Sequence, residues 1–232
     1  NSLYDFSTII SSYDAIQISA ESPPIVIQNH VDDFLNYNGP KKYLGEFSIV
    51  FFGEIGSYYS ESAISFFTKE IFPFILKEFP EAKFYVVGSN PTKKVLKLEC
   101  NNIKITGFVD DIREYIAGSR VSICPLMMGS GLKNKIIQSM ALKVPVVATS
   151  ISNRGINGEN GKHLIIADNP KDFAFAVNRL FKDMDFHNWI KDNAYIFIEK
   201  HFSSYAVSKK LDYLLNECSR LRSDRWSNPH LD

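Results

Sequence analysis

From Phe47 onward, short unbroken apolar runs alternate with segments whose apolar residues recur every three or four positions. The runs are "FSIVFFGE", "AKFYVVGS", "NIKITGF", "VSICPL", "VPVVATS" and the shorter "KHLIIAD". They are rich in β-branched and aromatic residues and are not interleaved with polar ones, which is the pattern of strands covered on both faces. Between them the period predicts helices from about Ser60 to Glu78, from Thr92 to Leu98, over "DDIREYIAGS", and after Ser130. Strands separated by helices build βαβ units and a parallel sheet. The predicted fold class is therefore α/β, a doubly wound parallel sheet with helices on both faces. Ligands of such a sheet sit at the carboxyl ends of its strands.

The pattern changes at both ends of the chain. "NPKDFAFAVNRLFKD" places Phe173, Ala176, Val177, Leu180 and Phe181 on one stripe behind Asn169 as N-cap. Two further helices follow, about Met184 to His201 and Ser203 to Arg222, and the last ten residues are polar and read as frayed. Residues 1–46 contain only short extended runs, "YDAIQIS" and "PPIVIQNHVDDF", broken by Pro23, Pro24 and Gly39. They read as the tail of another unit plus a linker strand. The expected organisation is thus a remnant and linker over 1–46, a ligand-binding sheet domain over 47–183, and helices over 184–232. The chain opens on Asn1 rather than Met, the expectation for a piece cut from something longer. There is no internal repeat and no low-complexity tract.

Composition narrows the partners. Lys plus Arg equal Asp plus Glu at 26 each, so no overall field draws the chain to nucleic acid. Hydrophobic residues make 45% and charged residues 22%, an ordinary balance for a chain of 232 residues with a sizeable core. Cys100, Cys124 and Cys218 have no metal-ligand or redox spacing, and Cys124 lies inside an apolar run. They read as reduced thiols of a cytoplasmic protein. No apolar stretch approaches the roughly 20 residues that span a bilayer, and "NSLYDFSTII" lacks the shape of a signal peptide.

The chemistry concentrates in "GSGLKNKIIQSMALKVPVVATS", Gly129 to Ser150. Gly129 and Gly131 flank Ser130 just past the strand "VSICPL", where glycine permits positive φ and close approach of a ligand to the backbone. A helix starting there offers unpaired N–H groups and the positive end of its dipole, which suits phosphate. Lys133 and Lys135 add mobile charge, while Ile136, Ile137, Met140 and Ala141 form the stripe that docks the helix. An ordinary strand-to-helix turn with Ser130 as N-cap has the same spelling. Neither a GxxxxGK loop nor a GxGxxG fingerprint is present.

A longer stretch, "ITGFVDDIREYIAGSRVSICPLMMGSGLKNKIIQSMALKVPVVATSISNRGI", resembles the donor-binding half of retaining GT-B glycosyltransferases of group 1. That family carries a "GFV-D-" turn, a strand ending in Pro and a "GSGLK-K-LEAMA-G-PVVAT---GI" segment. "IVIQNHVDDF" is similar to its interdomain "V-PNGVD---F", "FFGEI" to its "--GR-", and "IFPFILKEFPEAKFYVVGS" and "ADNPKDFAFAVNRLFKD" to the elements that flank the site. The likeness runs in register from about Ile25 to Asp183. It implies a Rossmann-like domain that binds a nucleotide-diphosphate sugar for transfer of a hexose with retention. By the resemblance, the diphosphate lies near Gly129, Ser130, Gly131 and Leu132 and near Gly53, Gly88 and Ser89. The base lies by Gly107, Phe108 and Val109. No metal and no cofactor are implied, since a helix dipole and basic side chains stabilise the leaving diphosphate. The implied partners are the donor, a glycan or lipid acceptor, and the chain's own N-terminal domain or a partner subunit. Peripheral association with the inner face of a membrane would run through that other domain, without which the chain is expected to be inactive.

Three positions depart from the family. Gln138 stands where a carboxylate commonly holds the ribose hydroxyls, and charge-assisted bonds are roughly twice as strong as neutral ones. Ser130 replaces a second carboxylate that the "GSG" subgroup often lacks. Glu54 replaces the arginine that faces the diphosphate, and no Lys or Arg occurs from Phe47 to Thr68. A carboxylate there repels diphosphate by on the order of 1 to 4 kcal/mol. His30 replaces the interdomain glycine. Two readings follow: an active donor site whose cations are Lys133, Lys135 and Arg154, or a degenerate, noncatalytic scaffold that acts as a binding or partner subunit. Tyr58 and Tyr59 read either as stacking groups or as cover for an apolar edge.

Overall fold

The structure is a computed structural model that describes residues 7–18 and 24–227. It begins with β1 (Thr8–Ile9), α1 (Ser12–Gln17), β2 (Ile25–Val26) and α2 (Asp32–Leu35). The main body follows as β3 (Ser48–Phe52), α3 (Tyr58–Phe66), α4 (Phe72–Glu78), β4 (Lys83–Val87), α5 (Lys93–Leu96), β5 (Ile103–Gly107), α6 (Ile112–Ala117), β6 (Val121–Cys124), α7 (Asn134–Ala141), β7 (Val146–Ala148), α8 (Ser150–Asn153) and β8 (Ile165–Ile166). Three helices complete it: α9 (Pro170–Lys182), α10 (Met184–Phe202) and α11 (Ser204–Ser227).

Strands β3 to β8 form one all-parallel sheet in the order β5-β4-β3-β6-β7-β8. The chain builds outward from β3 to β5, returns to the other side of β3 as β6, and builds outward again. That reversal opens a crevice between β3 and β6 at the carboxyl ends. β3 is buried along its whole length, and its alternate residues feed separate cores, as a period of two requires. Ile49 and Phe51 join Phe67, Phe72, Phe84 and Phe173 on one face; Val50 and Phe52 join Val87, Ile116 and Leu142 on the other. Each such side chain contributes about 1.5 to 3 kcal/mol.

Several elements differ from the sequence expectation. "YDAIQIS" is not extended, because Ser12–Gln17 is helical. β1 and β2 pair in parallel, and parallel strands need a crossover between them. Ser11 caps that crossover by accepting the Asp14 N–H at 3.3 Å. In "PPIVIQNHVDDF", only Ile25–Val26 is strand, and Asp32–Leu35 turns helical; Pro23 lies outside the described residues. The helix expected from Ser60 to Glu78 starts at Tyr58 behind a Ser57 cap and widens into a π turn over Phe67–Ile71. Pro73 explains the widening, since it has no N–H to donate backwards and its ring displaces the preceding carbonyl. "KHLIIAD" keeps only two strand residues.

α10 buries His187, Ile190, Ala194, Ile198 and Phe202 at three- and four-residue spacing. Its apolar members join the main core. α11 continues through Ser227, so residues 223–227 of the tail expected to fray are helical; 228–232 lie outside the described residues. Leu214 is the buried residue among the described side chains of α11, while Tyr205, Leu211, Tyr213 and Leu215 are exposed. The segment around α2 is fastened to the α10–α11 corner: Val31 N–H donates to Phe202 O at 3.0 Å, and Ser204 N–H to Asp32 Oδ1 at 2.8 Å.

Candidate functional site

The carboxyl ends of β3, β4 and β5 are joined backbone to backbone. Gly53 N–H donates to Val87 O at 3.0 Å, Ile55 N–H to Ser89 O at 3.0 Å, and Gly88 N–H to Gly107 O at 3.1 Å. Gly88 has φ +143°, and a side-chain carbon placed on it would lie 1.8 Å from Gly53 O. Only glycine lets the two strand ends approach this closely. Phe108 follows at the end of β5, 76% exposed, and Val109 packs inward against the smaller core.

The turn after β6 is open. Gly129 and Gly131 adopt φ +118° and +78°, and Ser130 is exposed. Among the described residues, the N–H groups of Gly129, Ser130, Gly131 and Leu132 donate no hydrogen bond. Ser130 is not the N-cap: α7 starts at Asn134, and its cap, Lys133, contributes no side-chain bond. The helix is instead set by its buried face. Ile136, Ile137, Met140 and Ala141 are buried as their spacing predicts, and Ser139 Oγ donates to Ser122 Oγ and Lys135 O, both at 2.8 Å. Thr149 Oγ1 donates to Leu126 O at 2.5 Å and Ser152 Oγ to Cys124 O at 2.8 Å, which tie α8 to the end of β6.

The two lysines of this segment have different fates. Lys135 Nζ lies 3.7 Å from the centroid of the buried Phe51 ring. It is also 3.9 Å from the point where a side-chain carbon of Gly53 would stand. Burial pushes its pKa down, and neither a carboxylate nor a carbonyl among the described residues pairs with its ammonium. Lys133, expected as mobile charge, folds back and donates to Ser130 O and, at 3.2 Å, to Gly131 O. Burial lowers its pKa as well. It neutralises the turn's own carbonyls, which would otherwise repel an anion.

The remaining candidates are scattered around this centre. Glu54 is exposed and makes no ion pair among the described residues. Gln138 lines a cavity of about 350 Å³ with Asn29, His30, Asp33, Phe34 and Asn134, so the linker and α7 share a polar groove. Arg154, expected as a third free cation, lies instead over the Tyr13 ring of α1 at 4.8 Å. The same short helix reaches the glycine turn, with Asp14 Oδ2 4.0 Å from the side-chain position of Gly131. Ser11 packs on Gly155, and Asn157 Nδ2 donates to Ser12 Oγ at 2.9 Å. Sequence reasoning missed Tyr13 and Asp14. They sit far upstream in a run read as extended, with no spacing that links them to Gly131 or Arg154. Among the described residues no helix is long and apolar enough to cross a membrane.

A doubly wound parallel sheet with a glycine turn and a desolvated lysine at its switch point is the Rossmann-like half of a GT-B fold. The chain belongs to the family described as Glycosyl transferases group 1, whose profile matches residues 46–183. A protein of the cps region of Klebsiella pneumoniae, known by its mass of 44.6 kDa, is 23% identical over 219 residues; the match covers 88% of this chain and 56% of that one. The chain thus spans about half the length of that relative. Among solved structures, a point variant of S. aureus TarM in complex with fondaparinux, α-GlcNAc-glycerol and UDP superposes with a TM-score of 0.75 at 17% identity, over 91% of this chain and 44% of that one. Anabaena HepE in complex with UDP gives 0.73 at 16% identity, over 94% and 65%. At these identities the likeness shows the fold.

Proposed function

We propose that the chain is the donor-binding half of a retaining glycosyltransferase that moves a hexose from a nucleotide diphosphate to a glycan or lipid acceptor. The observation that carries this reading is Lys135: an ammonium desolvated against Phe51, beside Gly53 at the β3–β6 crevice, with no anionic partner of its own. Burying an unpaired charge is costly, and a diphosphate in the crevice would relieve that cost. The open N–H groups of the glycine turn and the first turn of α7 add donors aimed at the same charge. Such fixed donors stabilise the leaving diphosphate without reorganising as it departs. Phe108, exposed at the end of β5, offers a face for the base, and the Gln138 groove offers amides to the ribose hydroxyls. The acceptor, and with it turnover, belongs to a second domain across the crevice. TarM and HepE, both solved with UDP, support a uridine nucleotide as the first ligand to try.

Calorimetric titration with UDP, GDP and ADP and their hexose conjugates tests the reading. Saturable binding by the wild-type chain that Lys135→Met weakens by more than tenfold supports it. Glu54 favours the other reading: it stands exposed and unpaired at the mouth of β3, where a basic residue would serve a diphosphate better. If nothing binds until Glu54→Arg and Gln138→Glu are combined, the chain is a degenerate scaffold that serves as a partner subunit.

A further inference from the structure

Tyr58 and Tyr59 open α3 directly after the β3 turn, and the donor reading above gives neither of them a task. Tyr59 is 51% exposed, yet it is held from two sides. The Tyr58 ring meets it nearly edge-on, with centroids 6.0 Å apart and planes at 75°. On the other side, a side-chain carbon placed on Gly129 would lie 3.8 Å from Tyr59 Cδ1 and 3.9 Å from Cε1. The same point is 3.5 Å from Lys133 Nζ. Gly129, at φ +118°, therefore lies between a cation and an aromatic ring, each within van der Waals reach of its side-chain position. Met127 and Met128, which directly precede Gly129, are both exposed.

We propose that Tyr59, braced by Tyr58, is the platform for the transferred sugar of the donor, and so determines which sugar the site accepts. The inference rests on the donor-site reading. A ligand lying against Gly129 meets a cation on one side and an aromatic ring on the other, which suits an anionic group joined to an apolar ring face. A hexose is bonded directly to its phosphate, whereas a nucleobase is set off from the phosphates by the ribose. Tyr59 turns ring carbons toward Gly129, which suits the axial C–H face of a pyranose rather than a phosphate oxygen. Edge-on contact with Tyr58 restricts the ring on one side before the ligand arrives, which lowers the entropic cost of stacking.

The test is a titration on the full chain that sets three proteins against three pairs of a bare diphosphate and its sugar conjugate. UDP and UDP-glucose, GDP and GDP-mannose, and ADP and ADP-glucose are measured by calorimetry against wild type, Tyr59→Phe and Tyr59→Ala. For the pair that binds best, Tyr59→Ala is expected to weaken the sugar conjugate by about fivefold and leave the bare diphosphate unchanged. Tyr59→Phe is expected to match wild type on both. Equal weakening of both ligands by Tyr59→Ala would make the residue structural and overturn the platform. Loss in Tyr59→Phe would assign the phenol to phosphate and overturn it too. Undiminished binding of the conjugate by Tyr59→Ala overturns the platform and leaves the donor site standing. Binding of no nucleotide by any of the three proteins removes the donor site and the platform together.

Discussion

At the ends of β3, β4 and β5 the wall of the crevice is made of locked backbone, whereas after β6 and β7 it is made of loops held by side chains. On the first side, Gly53 N–H bonds Val87 O, Ile55 N–H bonds Ser89 O and Gly88 N–H bonds Gly107 O, so backbone joins backbone across the three strand ends. On the second, the Gly129–Leu132 turn has free N–H groups, Lys133 covers its carbonyls, and α1 lies against it through Asp14 and against Arg154 through Tyr13. Lys135 grows from the second side and ends on the first, over Phe51. The first side is tightly joined because Gly88 has no side chain to hold its strand end off Gly53, and the ladder of backbone bonds continues past the strands. The second is adjustable because its contacts are single side chains on short loops. A site built this way can keep one fixed wall for a common feature of its donors and vary the other wall for what differs among them.

The largest way to break the contrast is Gly88→Ala. Its new carbon meets Gly53 O at 1.8 Å at a φ that L residues rarely adopt. A loss of about 3 kcal/mol is expected in urea unfolding. A loss below about 0.5 kcal/mol would show that the wall is not locked.

Next in size is Lys135→Met, which keeps the stem over Phe51 and removes the charge. It should weaken nucleoside diphosphate binding more than tenfold, the loss of one charged hydrogen bond. The free chain should be no less stable than wild type, since a desolvated ammonium has been deleted. The sign of the pH effect follows from the depressed pKa of Lys135. Below that pKa the ammonium is charged both folded and unfolded, and its burial penalty is paid in full. As pH climbs from there toward the ordinary value of 10.5, the folded state sheds the proton first and the free chain gains stability. Diphosphate binding runs the other way: it takes up a proton at Lys135 and fades as pH rises through the same interval. Binding measured in two buffers of different ionisation enthalpy reads that proton directly.

The smallest expected effect is on the adjustable wall. Asp14→Asn removes a carboxylate 4.0 Å from the side-chain position of Gly131. Nucleoside diphosphate binding should then strengthen about two- to fivefold at low salt and less at high salt. Unchanged affinity at both ionic strengths would mean that α1 does not reach the ligand.

Much of this was legible in the residues. The apolar runs located β3 through β7, and the stripe in "NPKDFAFAVNRLFKD" located α9 with its Asn169 cap. Those inferences succeeded because burial imposes a period on the chain, and a period survives in one dimension. Less legible were α1, whose helix is set by the pairing of β1 with β2, and the start of α7, where docking of Ile136 and Met140 outweighed the capping preference of Ser130.

What the sequence determined by itself was the alternation of strands and helices, the family likeness, and which side chains could handle a phosphate. What the tertiary structure alone decided was which of them meet. The strand order β5-β4-β3-β6-β7-β8 sets β6 beside β3, and so brings Lys135 to Gly53 and Tyr59 to Gly129 across long stretches of chain. It also gave Lys133 to the turn's own carbonyls and set Arg154 and Lys135 each over an aromatic ring, Tyr13 and Phe51, with no carboxylate or carbonyl for Lys135 among the described residues. The physical reason is that a lysine or arginine reads the same in sequence wherever its head group ends. Whether its charge is satisfied depends on what the fold sets within a few ångströms of it.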